Sequence, residues 1–168
     1  MVKKKRRKLK SWVKTTLACI TIFTLVTGLR ATGAFNSNYV VGHSMDPTLH
    51  PNEIVFRSNI PEIERYDVVI AQAPTGNEVV KRVIGLPGDS VSFYEAHIYI
   101  NGRLSDESFL AADARNSRLP TKTPGTIITL QENEYFIAGD NRNNSTDSRV
   151  YGALSKDMIQ GKVVFTCG

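Results

Sequence analysis

The run Val79-Val80-Lys81-Arg82-Val83-Ile84-Gly85-Leu86 does most to limit what this chain can fold into. Successive side chains on a strand point to opposite faces, so Val79, Lys81 and Val83 share one side and Val80, Arg82 and Ile84 the other. Each face is apolar apart from one cation, which is the pattern of a strand covered on both sides. A lysine is seldom fully buried without a partner, and burial disfavours its charged form. Lys81 therefore has two readings. It is either a buried amine with a lowered pKa, fit to act as a general base, or a charge at a sheet edge whose stem lies on the surface and whose head reaches water.

The neighbouring sequence reads as β structure. Tyr66 to Ala71 and Glu78 to Leu86 are strand-like runs separated by the turn signal Pro74-Thr75-Gly76-Asn77. His97 to Ile100, then Asn101-Gly102, then Arg103-Leu104 is a hairpin with a two-residue turn. Thr126 to Leu130, Glu134 to Ala138 and Lys162 to Phe165 are further strands, and Ser155 to Gln160 has room for one helical turn. The expectation is a mainly β protein, a compact antiparallel domain of folded or barrel-like sheets over residues 36–168. Residues 105–124 read as a surface loop or small insertion.

Charge divides the chain. Of its 21 Lys and Arg, nine lie in residues 1–30 with no acid among them, leaving 12 bases against 16 acids. A mildly acidic body argues against nucleic acid as a partner. Residues 1–14 form a basic cytoplasmic segment. The uncharged stretch Thr15 to Leu29 rises only about 22 Å as a helix, against a hydrocarbon core of roughly 30 Å, so a span would need Trp12, Val13 and snorkelling Lys14 and Arg30. Residues 15–35 are thus either a single transmembrane anchor or a cleaved signal peptide ending in Ala31-Thr32-Gly33-Ala34. In both cases the body lies outside the cytoplasm. Cys19 and Cys167 have neither each other nor metal-like neighbours, so no disulfide, metal or cofactor is assigned.

Ser44, in Gly42-His43-Ser44-Met45-Asp46-Pro47-Thr48-Leu49, is the candidate nucleophile. A serine hydroxyl needs an adjacent base. His43 is next to it on the chain and points away if the chain is extended, while His50 and His97 have no triad context. Lys81 is the better base. The stretch Gly139 to Arg149 places Asp140, Arg142, Asp147 and Arg149 together. Mutual pairing would stiffen it and let Ser145 hold the amine by a hydrogen bond; it also reads as an ordinary polar loop.

These stretches, in this order, resemble the type I signal peptidases, membrane-bound Ser/Lys proteases that remove signal peptides from exported proteins. The resemblance rests on the N-terminal segment, Ser44-Met45-x-Pro47-Thr48-Leu49, Asp67-Val68-Val69, Lys81 to Asp89, and Gly139-Asp140-Asn141-Arg142-x-x-Ser145-x-Asp147-Ser148-Arg149. It implies a retained anchor, Ser44 as nucleophile and Lys81 as general base. Ser145 would orient the lysine, Asp147 with Arg149 would hold the loop, and Asp140 would brace it. The backbone N–H of Ser44 would serve the oxyanion, while Gly42, where some members carry a hydroxyl, offers no side-chain donor. Glycine there and the compact length resemble Gram-positive members.

The resemblance further implies partners: membrane lipid, and precursors with small residues at the first and third positions before the cut. Val40, Met45, Leu49 and Val79 are the expected pocket walls, with substrate added as a strand beside Val79 to Val83. Three rivals stand beside this reading. A self-cleaving repressor-type peptidase predicts a DNA-binding N-terminus. A dedicated maturation peptidase predicts one pilin-like or conjugation substrate. A non-enzymatic exported β domain predicts that Lys81→Met changes only surface charge.

Overall fold

The computed structural model describes residues 11–31, 35–59, 61–94, 97–110 and 126–168. Helix α1 (Ser11–Ala31) leads into a body of strands β1 (Phe35–Tyr39), β2 (Ile54–Ser58), β3 (Val68–Gln72), β4 (Glu78–Gly85), β5 (Ser90–Tyr94), β6 (His97–Ile100), β7 (Arg103–Leu104), β8 (Ile127–Thr129) and β9 (Glu134–Ala138). A short helix α2 (Ser148–Tyr151), strand β10 (Leu154–Ser155), a 3-10 turn at Lys156–Met158 and strand β11 (Ile159–Cys167) complete it. The described strands form one sheet in the order β1-β2-β11-β3-β4-β9-β10 and a second in the order β7-β6-β5-β8. Every pairing is antiparallel.

Strand β4 is the buried strand its pattern predicts. It lies between β3 and β9, with Lys81 to Gly85 all inaccessible. On one face Val83 packs with Val69, Ala71 and Ile137. On the other, Val80 faces Val55, Val68, Ile70 and Val163, closed over by Val40, Met45 and Leu49. That second cluster is the interior of a half-barrel made by β1, β2, β11, β3 and β4. Two register shifts in β11, at Ile159/Gly161 and Val163/Phe165, supply the bend. A third cluster, around Phe93, Phe136 and Ile98, joins the small sheet to β9 and the end of β4.

Several boundaries differ from the sequence expectation. The turn at Asn101-Gly102 has both residues at positive φ, as a two-residue hairpin requires. Strands β1, β2 and β5 were not anticipated. Phe35-Asn36-Ser37-Asn38-Tyr39 is too polar to announce itself, and its place comes from pairing with β2. The segment read as a surface loop folds inward where it is described. Ser105, Glu107 and Leu110 are buried, Glu107 because it meets Arg142. Its remainder, 111–125, lies outside the described residues.

The N-terminal segment is one continuous helix, and its apolar side chains, among them Ile22, Phe23 and Leu25, stand exposed. Lys14, Arg30 and five threonines dilute its apolar character. Among the described residues no helix is long and apolar enough to cross a membrane. Residues 1–10 and 32–34, and with them most of the basic block and the Thr32-Gly33-Ala34 part of the possible cleavage site, lie outside the described residues.

Candidate active site

Three sequence stretches meet at the edge of β4. Ser44 sits in a tight turn where Thr48 N and Leu49 N both donate to Met45 O, at 2.8 and 3.0 Å. Gly42, at φ 81°, takes the chain into that turn through a backbone conformation that suits glycine. Across the gap, Lys81 Nζ donates to Ser44 Oγ at 2.6 Å and to Val80 O at 2.9 Å. Lys81 is 4 % exposed, which excludes the surface-charge reading. Burial is the main influence on its amine and lowers its pKa to about 8, with Arg149 adding to the effect and Asp147 and Asp140 opposing it. Among the described residues the hydrogen-bond partner of the serine hydroxyl is Lys81, and the histidine side chains turn elsewhere. His43 Nδ1 and His50 Nδ1 both meet the Asp46 carboxylate, at 2.9 and 3.0 Å, on the exposed side of the turn.

Arg82, the next residue, projects to the opposite face and has a full set of partners. Its Nε and Nη2 reach Asp140 Oδ1 and Oδ2 at 2.8 and 2.6 Å, and its Nη1 donates to Tyr66 O at 2.8 Å. Thr48 Oγ1 completes the group, donating to Asp140 Oδ2 at 2.5 Å. Asp140 thus links Arg82 on the sheet to Thr48 on the Ser44 turn, and not to Arg142. The partner of Arg142 is Glu107, at 2.5 Å. Of the two pairings imagined within the loop only one forms there. Arg149 Nε and Nη2 bind Asp147 Oδ1 and Oδ2, each at 2.7 Å, with both side chains fully buried.

Asp147 also accepts Gly139 N at 2.9 Å and Ser145 Oγ at 2.7 Å. Burial alone would raise its carboxyl, but Arg149 and these donors outweigh burial and hold it below the usual carboxylate range. Ser145 thus spends its proton on Asp147, and the lysine amine donates to Ser44 and Val80. The expected Ser145 bond to Lys81 is replaced by an indirect link, in which Ser145 helps fix the carboxylate whose charge acts on the amine. Gly139 has to be glycine for contact: a Cβ there would sit 2.5 Å from Ser44 O and 2.7 Å from Ser145 Cβ. Asn141 fastens the same junction, its backbone N donating to Ser44 O and its Nδ2 to His43 O, both at 3.0 Å.

Sequence reasoning missed Arg82, Thr48, Asn141 and Glu107. Arg82 left a signal, as the one cation on its face of a buried strand. Glu107 left none, because nothing local marks an acid in a polar stretch as buried.

The expected pocket residues divide between the two faces of the sheet. Val40, Met45 and Leu49 are each 3 % exposed or less and are half-barrel core beneath the site, not open walls. Val79 is half-buried on the opposite face. The open feature is a seam. Strand β9 pairs with β4 only from Arg82 onward, so that edge of β4 from Glu78 to Lys81 has no strand partner among the described residues. Residues 38–44 run past it in the same direction. They touch it at both ends, through Asn38 Nδ2 donating to Glu78 Oε1 and through the Ser44–Lys81 contact. Val41, between them, is 87 % exposed.

The signal peptidase family, peptidase S26, matches residues 9–167. Signal peptidase I S of Bacillus subtilis is 35 % identical over 179 residues, covering 96 % of this chain and 90 % of the relative. Signal peptidase IB of Staphylococcus aureus is 34 % identical over 142 residues, 75 % of this chain and 74 % of the relative. The crystal structure of a signal peptidase I from Enterococcus faecalis aligns with a TM-score of 0.53 at 32 % identity, covering 63 % of this chain and 100 % of that one. A match that runs through the N-terminal helix and all three stretches at the β4 edge decides the family: the chain belongs to the signal peptidases of peptidase family S26.

Proposed function

We propose that this signal peptidase cuts signal peptides from exported precursors with Ser44 as nucleophile and Lys81 as general base. The carrying observation is the 2.6 Å contact between Ser44 Oγ and a buried amine whose pKa is lowered to about 8. A base works best when its pKa lies near the working pH. Neutral Lys81 takes the Ser44 proton as Oγ attacks the scissile carbonyl. The ammonium returns that proton to the departing amine, leaving an acyl-enzyme. Water, deprotonated by the same amine, hydrolyses the ester, and Lys81 restores the proton to Ser44. The Ser44 backbone N–H serves the oxyanion. Asp147, with Arg149 and Ser145, fixes the field at the amine, and Asp140, with Arg82 and Thr48, holds the nucleophile turn.

Substrate enters the seam as an added strand beside Glu78 to Lys81. Arg82 and Val83, included in the original expectation, already pair with β9. Alternate substrate side chains then face the half-barrel core, where the packing of Val40, Met45 and Leu49 leaves room only for small groups, matching a requirement at the first and third positions before the cut.

Helix α1 is proposed as the membrane anchor, with residues 1–14 on the cytoplasmic side and the body outside. From Thr15 to Ala31 it rises about 25 Å, short of a hydrocarbon core of roughly 30 Å, so the span draws on Trp12 and Val13 at the cytoplasmic interface. Four threonine hydroxyls donate to helix carbonyls three or four residues back, which lessens their cost in lipid. The full-length chain should stay in membranes washed with alkaline carbonate, and release into the wash overturns the anchor.

Cleavage of a precursor with an Ala-x-Ala site tests the enzyme. Wild type should cut after the second alanine, while Ser44→Ala and Lys81→Met, both folded, should not. Cutting by Lys81→Met sinks the assignment of the base.

A further inference from the structure

Residues 105–110 lie outside the stretches that carry the family resemblance, yet two of their side chains meet arginines that hold the surroundings of the dyad. Phe109 lays its ring on Arg82, with 4.2 Å between the guanidinium carbon and the ring centroid. Glu107, two residues earlier, pairs with Arg142 at 2.5 Å, and these side chains are 7 % and 1 % exposed. The segment is fixed at both ends. Ser105 N donates to Ile98 O of β6 at 2.9 Å, Ser105 Oγ lies 3.2 Å from the Tyr66 hydroxyl, and Leu110 N donates to Glu107 O at 2.9 Å.

Arg142 carries the effect of Glu107 to both members of the dyad. Its Nε donates to Gly139 O at 3.0 Å, and its own carbonyl accepts Arg149 Nη1 at 2.8 Å. Gly139 sits between nucleophile and base. Its N–H donates to Asp147, the carboxylate whose charge acts on Lys81, and a Cβ on it would lie 2.5 Å from Ser44 O. A shift of the Gly139 peptide therefore disturbs the support of Ser44 and of Lys81 together. A buried guanidinium calls for a countercharge, and Glu107 supplies it. Among the described residues no hydrogen bond satisfies Arg142 Nη1, Arg142 Nη2 or Glu107 Oε1, so charge and packing hold the pair more than bond direction does. The place of the Arg142 head then follows the place of the carboxylate.

We propose that Glu107 is a positioning residue of the peptidase: through Arg142 it sets the Gly139 peptide against Ser44 and Asp147, and so the alignment of Ser44 with Lys81. The proposal rests on the Ser44–Lys81 reading above. Misplacing reacting groups by about 1 Å can cost on the order of 10²-fold in rate. The polar and ring contacts of the segment go to β6, Tyr66, Arg82 and Arg142, not to the seam, so the loss should fall on kcat and spare KM.

The test uses full-length protein in detergent and an Ala-x-Ala precursor, with kcat expressed per folded molecule and the folded fraction read from circular dichroism. Glu107→Gln keeps the shape of the side chain and removes its charge, whereas Glu107→Asp keeps the charge and shortens the reach. Asp106→Asn removes the exposed acid next to it as a control. Glu107→Gln should lower kcat about 10- to 100-fold and Glu107→Asp about 3- to 10-fold, each with KM within about twofold of wild type. Asp106→Asn should match wild type. A folded Glu107→Gln whose kcat stays within about twofold of wild type overturns the proposal, as does a loss confined to KM or an equal loss in Asp106→Asn. Where Glu107→Gln does not fold, Glu107→Asp decides, and a wild-type kcat in it shows that the pair only stabilises the fold. These outcomes leave the peptidase standing. Failure of wild type to cut the precursor overturns the peptidase reading and the proposal with it.

Discussion

Lys81 and Arg82 are neighbours on one strand, and the two faces of the sheet treat them oppositely. Arg82 meets a carboxylate in two-point contact, a backbone carbonyl and an aromatic ring, Phe109, 4.2 Å from its guanidinium carbon. Lys81 meets a serine hydroxyl and a carbonyl, with no carboxylate in salt-bridge contact among the described residues. The first cation is compensated by a carboxylate; the second is desolvated and its pKa falls to about 8. A charge that serves structure is paired, whereas one that must come and go is left partly unpaid in solvation.

The largest effect should come from removing the uncompensated cation. Lys81→Met should lower kcat/KM by about 10²- to 10⁴-fold, the contribution of a positioned base. It should also stabilise the fold. The folded pKa lies below the ordinary lysine value of 10.5, so between about 8 and that value the unfolded chain binds more protons and stability rises with pH. Below about pH 8 the full penalty applies, up to about 3 kcal/mol. Thermal melts at pH 7 should therefore show Lys81→Met above wild type, with the gap closing as pH rises toward 10.5. A lower melting point at pH 7 would mean that the amine is compensated after all.

Arg82→Met should do the reverse. It leaves the fully buried Asp140 without its guanidinium, a loss of about 3–5 kcal/mol for a broken buried pair. Because Asp140 also holds Thr48, activity should fall with the loosened nucleophile turn. Urea unfolding and kcat/KM check both. Equal and opposite stability changes at adjacent positions would be the plainest sign that the two faces differ.

The legibility of the site follows from the same contrast. Period 2 placed Lys81 and Arg82 on separate faces and gave β4 the apolar run of a strand covered on both sides, but an edge strand with the Lys81 head in water fits the same run, and only the packing of β9 and the Ser44 turn separates the two. Ser44 and Lys81 were readable as a pair through the resemblance, and their contact needs only the turn and the strand edge. The partners of Arg82 and Arg142 were not readable. Asp140 is 58 residues from Arg82 in the chain, and which of two nearby arginines it meets depends on how the sheets pack. Strand β1 was hidden for a related reason: its polar residues acquire strand geometry from β2, not from their own pattern. The pocket residues were found as apolar and close to Ser44, but sequence could not tell a wall from the core behind it.

The pH profile sharpens the account of Lys81. If the neutral amine is the active form, kcat/KM should climb about tenfold per pH unit on the acid side and level off above about pH 8. Asp147→Asn removes a negative charge that favours the ammonium, so the inflection should shift downward in whatever fraction remains folded. An upward shift would break the link between that carboxylate and the amine.

The smallest effect should come from the other acid that grips the nucleophile turn. Asp46 is held by His43 and His50 in the open, whereas Asp140, itself fully buried, holds the same turn from beneath through Thr48 and the buried Arg82. The His43 bond, chiefly, keeps the Asp46 carboxyl below its ordinary value, but exposed contacts of this kind contribute little. His43→Gln and His50→Gln should each change kcat/KM by less than about fivefold and leave the inflection near pH 8 where it was. A loss comparable to that of Arg82→Met would mean that the turn is held from its exposed side, and the contrast between compensated and uncompensated charge would then have to be drawn across the surface of the site instead of across β4.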